Sequence, residues 1–254
     1  MTLTKSAMTI TSLSTALLFG GGLYLFMNFG SIAKQVTESY ASKTLGVNVS
    51  IGRMAVSFKD RTVDVTNVRV DNPPGYKTPH ALTVGAIHIQ AGALGSDLLE
   101  LKDVSVKNAD VYLEIKTDGT NLTDIRKNLN ENVGSNPSEG EQAIKVILDK
   151  LVMEGTIHPS ISFLDREIKV FSLPPITVTG IGSGNNGVYA GAAISKIWKV
   201  VTEESVKAAQ DEGLFEGISS DVLKDAGLNQ VEIFKGKLDS EVDNLKDGLK
   251  KIFE

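Results

Sequence analysis

The stretch Val63-Asp64-Val65-Thr66-Asn67-Val68-Arg69-Val70 shows the pattern on which the predicted fold rests. Its valines follow the order apolar, any, apolar, any, any, apolar, any, apolar. Four other octets repeat this order with large apolar residues: Val49, Ile51, Met54, Val56; Leu82, Val84, Ile87, Ile89; Leu99, Leu101, Val104, Val106; and Val146, Leu148, Leu151, Met153. Chance would supply only about one or two such octets, so we interpret the pattern as a repeat.

The spacing within the octets excludes a helix and indicates a bent strand. On a helix the four apolar positions scatter around the axis. On a strand the two pairs face opposite sides, unless a β-bulge inserts one extra residue between them. The central residues are small or polar, which suits an unpaired position: Gly52-Arg53, Thr66-Asn67, Gly85-Ala86, Lys102-Asp103 and Asp149-Lys150. The sequence therefore predicts a strongly curved sheet with one apolar face.

Two interpretations of this apolar face remain open. In the first, an antiparallel meander folds on its own core; in the second, the face is an open trough that holds a ligand. The residues predicted to line such a trough are Val49, Ile51, Val63, Val65, Val68, Val70, Leu82, Val84, Ile87, Ile89, Leu99, Leu101, Val104, Val106, Val111, Leu113, Val146, Leu148 and Leu151.

A long uncharged segment precedes the octets. No charge lies between Lys5 and Lys34, and about 20 apolar residues suffice to cross a bilayer. We predict a tail at 1–5, on the cytoplasmic side, and a transmembrane anchor at 6–33, with the rest of the chain exported. A cleavable signal peptide is the alternative, since Ser31-Ile32-Ala33 resembles a cleavage site. The apolar core is longer than that of a signal peptide, which favours the anchor.

Beyond the anchor, the chain divides into a β-rich domain at 34–182 and a helical region at 183–254. The predicted fold class is α+β, mainly β, with a curved, bulged antiparallel sheet of about nine strands and two to three C-terminal helices. The predicted strands are 47–58, 62–71, 81–91, 97–107, 109–117, 143–153, 156–164, 167–171 and 174–181. Short helices are predicted at 31–45 and 121–129, and a mobile polar loop at 132–141.

The last predicted helix begins near Asn229 and is amphipathic. Its apolar residues follow near-heptad spacing: Val231, Phe234, Leu238, Val242, Leu245, Leu249 and Ile252. Acidic residues offset its lysines, which disfavours a basic helix at a membrane surface. We expect it to pack against the preceding helix or to cap an open sheet edge.

Composition excludes several classes of function. The chain has no cysteine, which rules out a disulfide scaffold, a thiolate metal site and a thiol nucleophile. Its formal net charge of -5 argues against nucleic acid as a partner. The histidines His80, His88 and His158 do not have metal-ligand spacing. We therefore expect no metal, no cofactor and no enzymatic activity.

One motif matches a nucleotide-binding fingerprint and is rejected on context. Gly182-Ser183-Gly184-Asn185-Asn186-Gly187 has the glycine spacing of a dinucleotide site. However, no second strand is predicted after the helix that follows it. A strand-to-helix joint explains these glycines more simply.

Several short motifs, taken together, are similar to those of a known family. They are Leu45-Gly46-Val47 with Val49 and Ile51; Val63 to Val70 followed by Asn72-Pro73-Pro74-Gly75-Tyr76; Leu82 to Ile89; Leu98 to Val106; Asp110 to Glu114; and Asp118-Gly119-Thr120-Asn121-Leu122. From Ile32 to about Ala209 the chain resembles the AsmA-like proteins of Gram-negative envelopes, which have one inner-membrane span followed by a periplasmic β-rich domain.

The resemblance implies a function as well as an architecture. The opening module of this family is similar to the chorein-type β-grooves that transfer lipids, and the family is linked to outer-membrane assembly and envelope lipid homeostasis. It implies a single-pass protein of the bacterial inner membrane, mostly in the periplasm, whose partners are the bilayer, phospholipid acyl chains and envelope proteins. The alternative is a structural adaptor in an envelope assembly. Nine strands stack to only about 45 Å, too short to bridge two membranes.

Overall fold

The computed structural model describes residues 30–94, 98–133, 145–163, 168–184 and 186–216. A first helix, α1, occupies 30–45 of this part, as predicted. The elements that follow are β1 (Val49–Ser57), β2 (Thr62–Asp71), β3 (His80–Leu94), β4 (Leu98–Lys116), β5 (Gly119–Thr120), α2 (Asn121–Val133), β6 (Lys145–Ile161), β7 (Phe171–Ile181), β8 (Val188–Tyr189) and α3 (Ala190–Asp211). The predicted anchor (apart from residues 30–33), tail and terminal helix lie outside the described residues.

The eight strands form one mixed sheet in the order β1-β2-β3-β4-β6-β7, with β5 beside β4 and β8 beside β6. Strands β4 and β6 run parallel, from Leu98 opposite Lys145 to Ile115 opposite Ile161. The other neighbours are antiparallel. The predicted purely antiparallel sheet is therefore wrong, because the chain returns through α2 and re-enters the sheet in the direction of β4.

Within the described residues the sheet has eight strands against the predicted nine, and two of them are longer than predicted. The predicted strands 97–107 and 109–117 are one strand, β4, and the predicted strands 143–153 and 156–164 are one strand, β6. Asn108 bends β4 with a φ of 53° but does not end it. Helix α2 likewise continues to Val133, so the first two residues of the predicted loop 132–141 are helical and the others lie outside the described residues.

A crease across four strands replaces the isolated bulges expected in the first three octets. Gly52, Asn67, Gly85 and Asn108 lie at one level of β1 to β4, and the strand pairing skips all four. Because every strand inserts a residue at this level, the register is the same on both sides of it. Asn67 and Asn108 have φ values of 55° and 53°, in the left-handed region that Asn tolerates.

Glycine and asparagine alternate along this crease for a steric reason. A Cβ on Gly52 would lie 2.8 Å from the Cβ of Asn67, and a Cβ on Gly85 would lie 2.9 Å from the Cβ of Asn108. The asparagine side chains thus occupy the space that the glycines leave. A second crease crosses β4, β6 and β7 at Lys102, Asp149 and Gly180, within the fourth and fifth octets.

The inserted residues keep the apolar members of each octet on one face. Apolar side chains therefore lie opposite one another across the whole sheet. Two such rows are Met54, Val65, Ile87, Val106, Met153 and Ile176, and Val56, Val63, Ile89, Val104, Leu151 and Val178. Helices α2 and α3 cover the β4, β6 and β7 end of this face, where Leu122, Ile125 and Leu129 are fully buried.

Replacing Gly155 with alanine should destabilise the fold by about 1–3 kcal/mol through overpacking. Gly155 lies opposite Ala109 where β4 and β6 shift register, and a Cβ there would overlap the backbone oxygen of Ala109. The control is Gly119→Ala, whose new Cβ would come no closer than 3.5 Å to Asp124. Urea unfolding of the full chain in detergent measures both. Equal midpoints would contradict the close approach of β4 and β6.

Candidate functional site

The apolar face of the sheet has a covered part and an open part. Among the residues predicted to line a trough, Val49, Ile51, Val63, Val65, Val70, Val84, Val104, Val106, Val111, Leu113, Val146, Leu148 and Leu151 are buried. The remaining ones are only partly buried: Val68, Leu82, Ile87, Ile89, Leu99 and Leu101. Trp198 of α3 secures the cover, since its Nε1 donates a hydrogen bond to the carbonyl of Leu122 in α2 at 3.0 Å.

The open part lies on β1, β2 and β3. Here Ile51, Val63 and Val65 form a small buried cluster of their own, separate from the main core. Partly buried side chains surround it. We call these eight residues the open trough: Ile51, Met54, Val56, Val63, Val65, Val68, Ile87 and Ile89. Three strands spaced about 4.8 Å apart make this surface about 10 Å wide between its outer strands.

Sequence reasoning missed two members of the open trough. Met54 and Val56 complete the first octet but were not included among the predicted lining residues. The structure places them in the same rows as Val65 and Val63 of the neighbouring strand. The octet pattern itself was the signal that could have identified them.

Helix α1 runs beside β1 and covers the edge of the sheet. The backbone N–H of Ile51 donates to Oε1 of Glu38 at 2.6 Å, and that of Val49 donates to Oγ of Ser42 at 2.8 Å. Lys34 Nζ donates to the carbonyl of Gly52 at 3.5 Å. Three backbone groups in the first half of this edge strand are thus bound by side chains of a helix, which hinders pairing with another strand there.

Helix α1 also presents apolar side chains to solvent. Ile32, Val36 and Tyr40 follow one another at one-turn intervals and are 42%, 60% and 44% exposed. The hydroxyl of Tyr40 accepts a hydrogen bond from the backbone N–H of Gly191 at 3.0 Å. This contact connects α1, which lies beside β1, to the start of α3. Helix α3 packs on β6 and β7.

A buried polar network fixes the loop between β2 and β3 against β4. Glu114 is buried, with 1% of the residue exposed. It accepts hydrogen bonds from the backbone N–H groups of Lys77 and Thr78 at 2.8–3.0 Å, and from the Thr78 hydroxyl at 3.1 Å. Several donors on one carboxylate compensate for its loss of water. Glu114 therefore holds the loop in place.

Asn121 connects this loop to the start of α2. Its Oδ1 accepts from the backbone N–H of Glu114 at 3.0 Å, and its Nδ2 donates to Asn72 Oδ1 at 2.8 Å and to the carbonyl of Tyr112 at 2.6 Å. The β2–β3 loop and the segment around Glu114 and Asn121, which lie about forty residues apart in the sequence, thus meet in one hydrogen-bond network. The sequence analysis assigned no role to Glu114 or Asn121.

Tyr76, in the same β2–β3 loop, makes a further contact with α2. Its hydroxyl donates to Asp124 Oδ2 at 2.6 Å, and Lys116 Nζ lies 3.7 Å from the centre of its ring. Burial raises the pKa of the Tyr76 phenol far above its usual value, and the hydrogen bond to Asp124 and the charge of that carboxylate raise it further.

Each of the three histidines lies beside an aspartate. The nitrogen–oxygen distances are 2.8 Å for His80 and Asp71, 2.7 Å for His88 and Asp64, and 3.0 Å for His158 and Asp110. The pairs His88–Asp64 and His158–Asp110 lie on the polar face, opposite the trough. No group of three metal-ligating side chains occurs among the described residues.

Thr156 joins the His158–Asp110 pair but does not form a catalytic relay with it. Its hydroxyl donates to Asp110 Oδ1 at 2.5 Å and lies 3.2 Å from His158 Nε2, the ring nitrogen that also contacts Asp110. A hydrolase triad needs its two partners on different ring nitrogens. Burial alone would raise the pKa of Asp110, but the hydrogen bonds from Thr156 and His158 outweigh it and lower that pKa.

The glycine-rich motif after β7 has a structural explanation. Gly182 and Gly187 have φ values of 79° and 86°. A Cβ on Gly182 would lie 2.5 Å from the carbonyl oxygen of Val146, at the start of β6. The chain therefore needs glycine to turn tightly against β6 before α3 begins, which agrees with the interpretation of this motif as a strand-to-helix joint.

Comparisons with known proteins add no family to this geometry: no family model, curated protein or solved structure matches the chain. Among the helices of the described part, none combines the length and the apolar composition needed to cross a bilayer. The candidate site is therefore defined by its geometry alone, as an apolar surface on three strands next to a helix with exposed apolar side chains.

Replacing Tyr76 with phenylalanine should cost about 1–2 kcal/mol at pH 8, because the hydrogen bond to Asp124 is lost. In the unfolded chain tyrosine ionises near pH 10, whereas the folded chain keeps the phenol neutral. The stabilisation from Tyr76 is thus complete below about pH 10 and is lost as the pH rises towards the raised pKa.

The free energy of unfolding should therefore decrease more steeply above pH 10 in the natural chain than in the Tyr76→Phe variant. Urea titrations from about pH 8 to 11 measure this difference. Tyr189→Phe, at an exposed ring, is the matched control. If the difference in free energy of unfolding between the natural chain and the Tyr76→Phe variant stays constant over this pH range, the phenol is not held neutral in the folded chain.

Proposed function

We propose that this chain is a non-enzymatic, membrane-anchored protein of the bacterial envelope that binds acyl chains on its apolar sheet face. The observation that carries the proposal is the open trough, where partly exposed apolar side chains of three adjacent strands surround a small buried cluster that is separate from the main core. Isolated apolar residues are common on protein surfaces, but a contiguous apolar patch indicates a binding surface.

The size of the open trough is consistent with one acyl chain. Along β1 the open trough runs from Ile51 to Val56, or roughly 17 Å at about 3.3 Å per residue. An acyl chain that buries roughly 300 Å² there would gain roughly 7 kcal/mol. Association costs of several kcal/mol reduce this gain. The expected result is weak, reversible capture.

The uncharged segment 6–29 supports placement at a membrane. It directly precedes α1 in sequence, and α1 presents Ile32 and Val36 to solvent. In this arrangement the open trough, which adjoins α1 through β1, lies near the bilayer. The resemblance of several sequence motifs to AsmA-like proteins supports the inner membrane as that bilayer and the periplasm as the location of the sheet. The proposed role is then in envelope lipid homeostasis.

A structural adaptor of an envelope assembly is the second candidate. The observation that favours it is the cover formed by α2 and α3, which leaves only part of the predicted trough accessible. In this alternative, Ile32, Val36 and the open trough contact another protein and no lipid enters.

Photocrosslinking in native membranes separates the two candidates. A photoreactive amino acid at Ile87 or Ile89 should form phospholipid adducts, detected as mass shifts, because both side chains border the open trough. The same amino acid at His88, which lies between them in sequence and faces the other side of the sheet, is the control. Equal adduct yields at all three positions would contradict lipid capture, and adducts to another protein would support the adaptor.

A further inference from the structure

The open trough has a shape that a helix can fill. Helices α2 and α3 already cover the neighbouring part of the same face through apolar contacts. The open trough is about 10 Å wide, and a helix with its side chains is about 10–12 Å across. One more helix, laid beside this cover, would therefore bury the exposed sides of Met54, Val56, Ile87 and Ile89.

The same chain contains a segment with a matching surface. Beyond Glu216, where the described chain ends, the sequence continues to Glu254. Its apolar residues recur every three or four positions from Val231 to Ile252, which on a helix forms a single stripe about 32 Å long. Six acidic and five basic residues at 229–254 nearly cancel in charge, so attraction to anionic lipid head groups is weak and an apolar protein surface suits the stripe better.

The chain between the end of the described part and the segment that begins at 229 is long enough to reach the open trough. Gly213 and Leu214 line a surface depression of about 340 Å³ together with Phe171, so the described chain ends next to the start of β7. From β7 the sheet extends only three strands to β3, or roughly 15 Å. Residues 217–228 can span up to roughly 40 Å. The segment can therefore reach the open trough.

We infer that the open trough is the docking site of the chain's own segment 229–252, which lies on it as an amphipathic helix with its apolar stripe against β1, β2 and β3. Segment and acyl chain would then compete for one surface. Docking of the segment does not depend on lipid binding, and each can be refuted alone.

Cysteine pairs in the full-length chain test this directly, because the natural chain has no cysteine. The test pair is Ile87→Cys with Leu245→Cys, one in the open trough and one in the stripe. One control moves the first cysteine to His88, on the opposite face of the sheet. The other moves the second cysteine to Asp247, opposite the stripe on a helix. Mild oxidation in detergent is followed by non-reducing electrophoresis and mass spectrometry.

We expect the test pair to form an intramolecular disulfide about tenfold faster than either control, because docking raises the local concentration of the two thiols. Equal rates for all three pairs, or no disulfide in the test pair, would overturn the inference. A disulfide between chains would overturn it in favour of a second copy as the occupant.

A second measurement does not depend on disulfide geometry. The double variant Leu238→Asp, Leu245→Asp disrupts the stripe without touching the sheet. It should increase the fluorescence of the apolar dye 1-anilinonaphthalene-8-sulfonate severalfold, because the open trough becomes accessible. The control Asp239→Asn, Asp247→Asn should not change it. An unchanged signal in the stripe variant would contradict docking. Lipid adducts at Ile87 in the natural chain test the proposed function separately.

Discussion

The fold depends on a constraint of strand geometry: across β1 to β4 the register is kept because the inserted residues lie at the same level on neighbouring strands. A single insertion on one strand shifts its register and turns every later side chain to the other face. Here β1 to β4 all insert a residue at the level of Gly52, Asn67, Gly85 and Asn108, so the register is kept. The apolar residues on both sides of the crease can then share one face and build one core.

The two faces of the sheet have different roles, because the creases keep the apolar side chains on one face and the polar side chains on the other. The apolar face supplies the core under α2 and α3 and leaves the open trough at β1 to β3. The other face is polar and holds the buried carboxylate of Glu114, whose hydrogen bonds fix the β2–β3 loop. Since that loop follows β2 directly, the network also positions the strand that forms the middle of the open trough.

The octet pattern predicted the shared apolar face and the place of the interruption within each octet, because both depend on local side-chain periodicity. It did not predict the number of strands, since Asn108 bends β4 and looks in the sequence like a strand end. The parallel pairing of β4 and β6 depends on the path of the chain through α2, which periodicity does not record. The role of Glu114 was also hidden, because its donors lie 36 and 37 residues away in the sequence.

The protection of both sheet edges limits how copies of the protein can associate. On one side, Glu38 and Ser42 bind the N–H groups of Ile51 and Val49 in the first half of β1, which are then not free to pair with an incoming strand. On the other side, β7 contains Pro174 and Pro175, which have no N–H to donate. Copies of the chain are therefore poorly suited to join edge to edge into a longer ribbon. Any cargo on this surface is confined to the length that a single molecule offers.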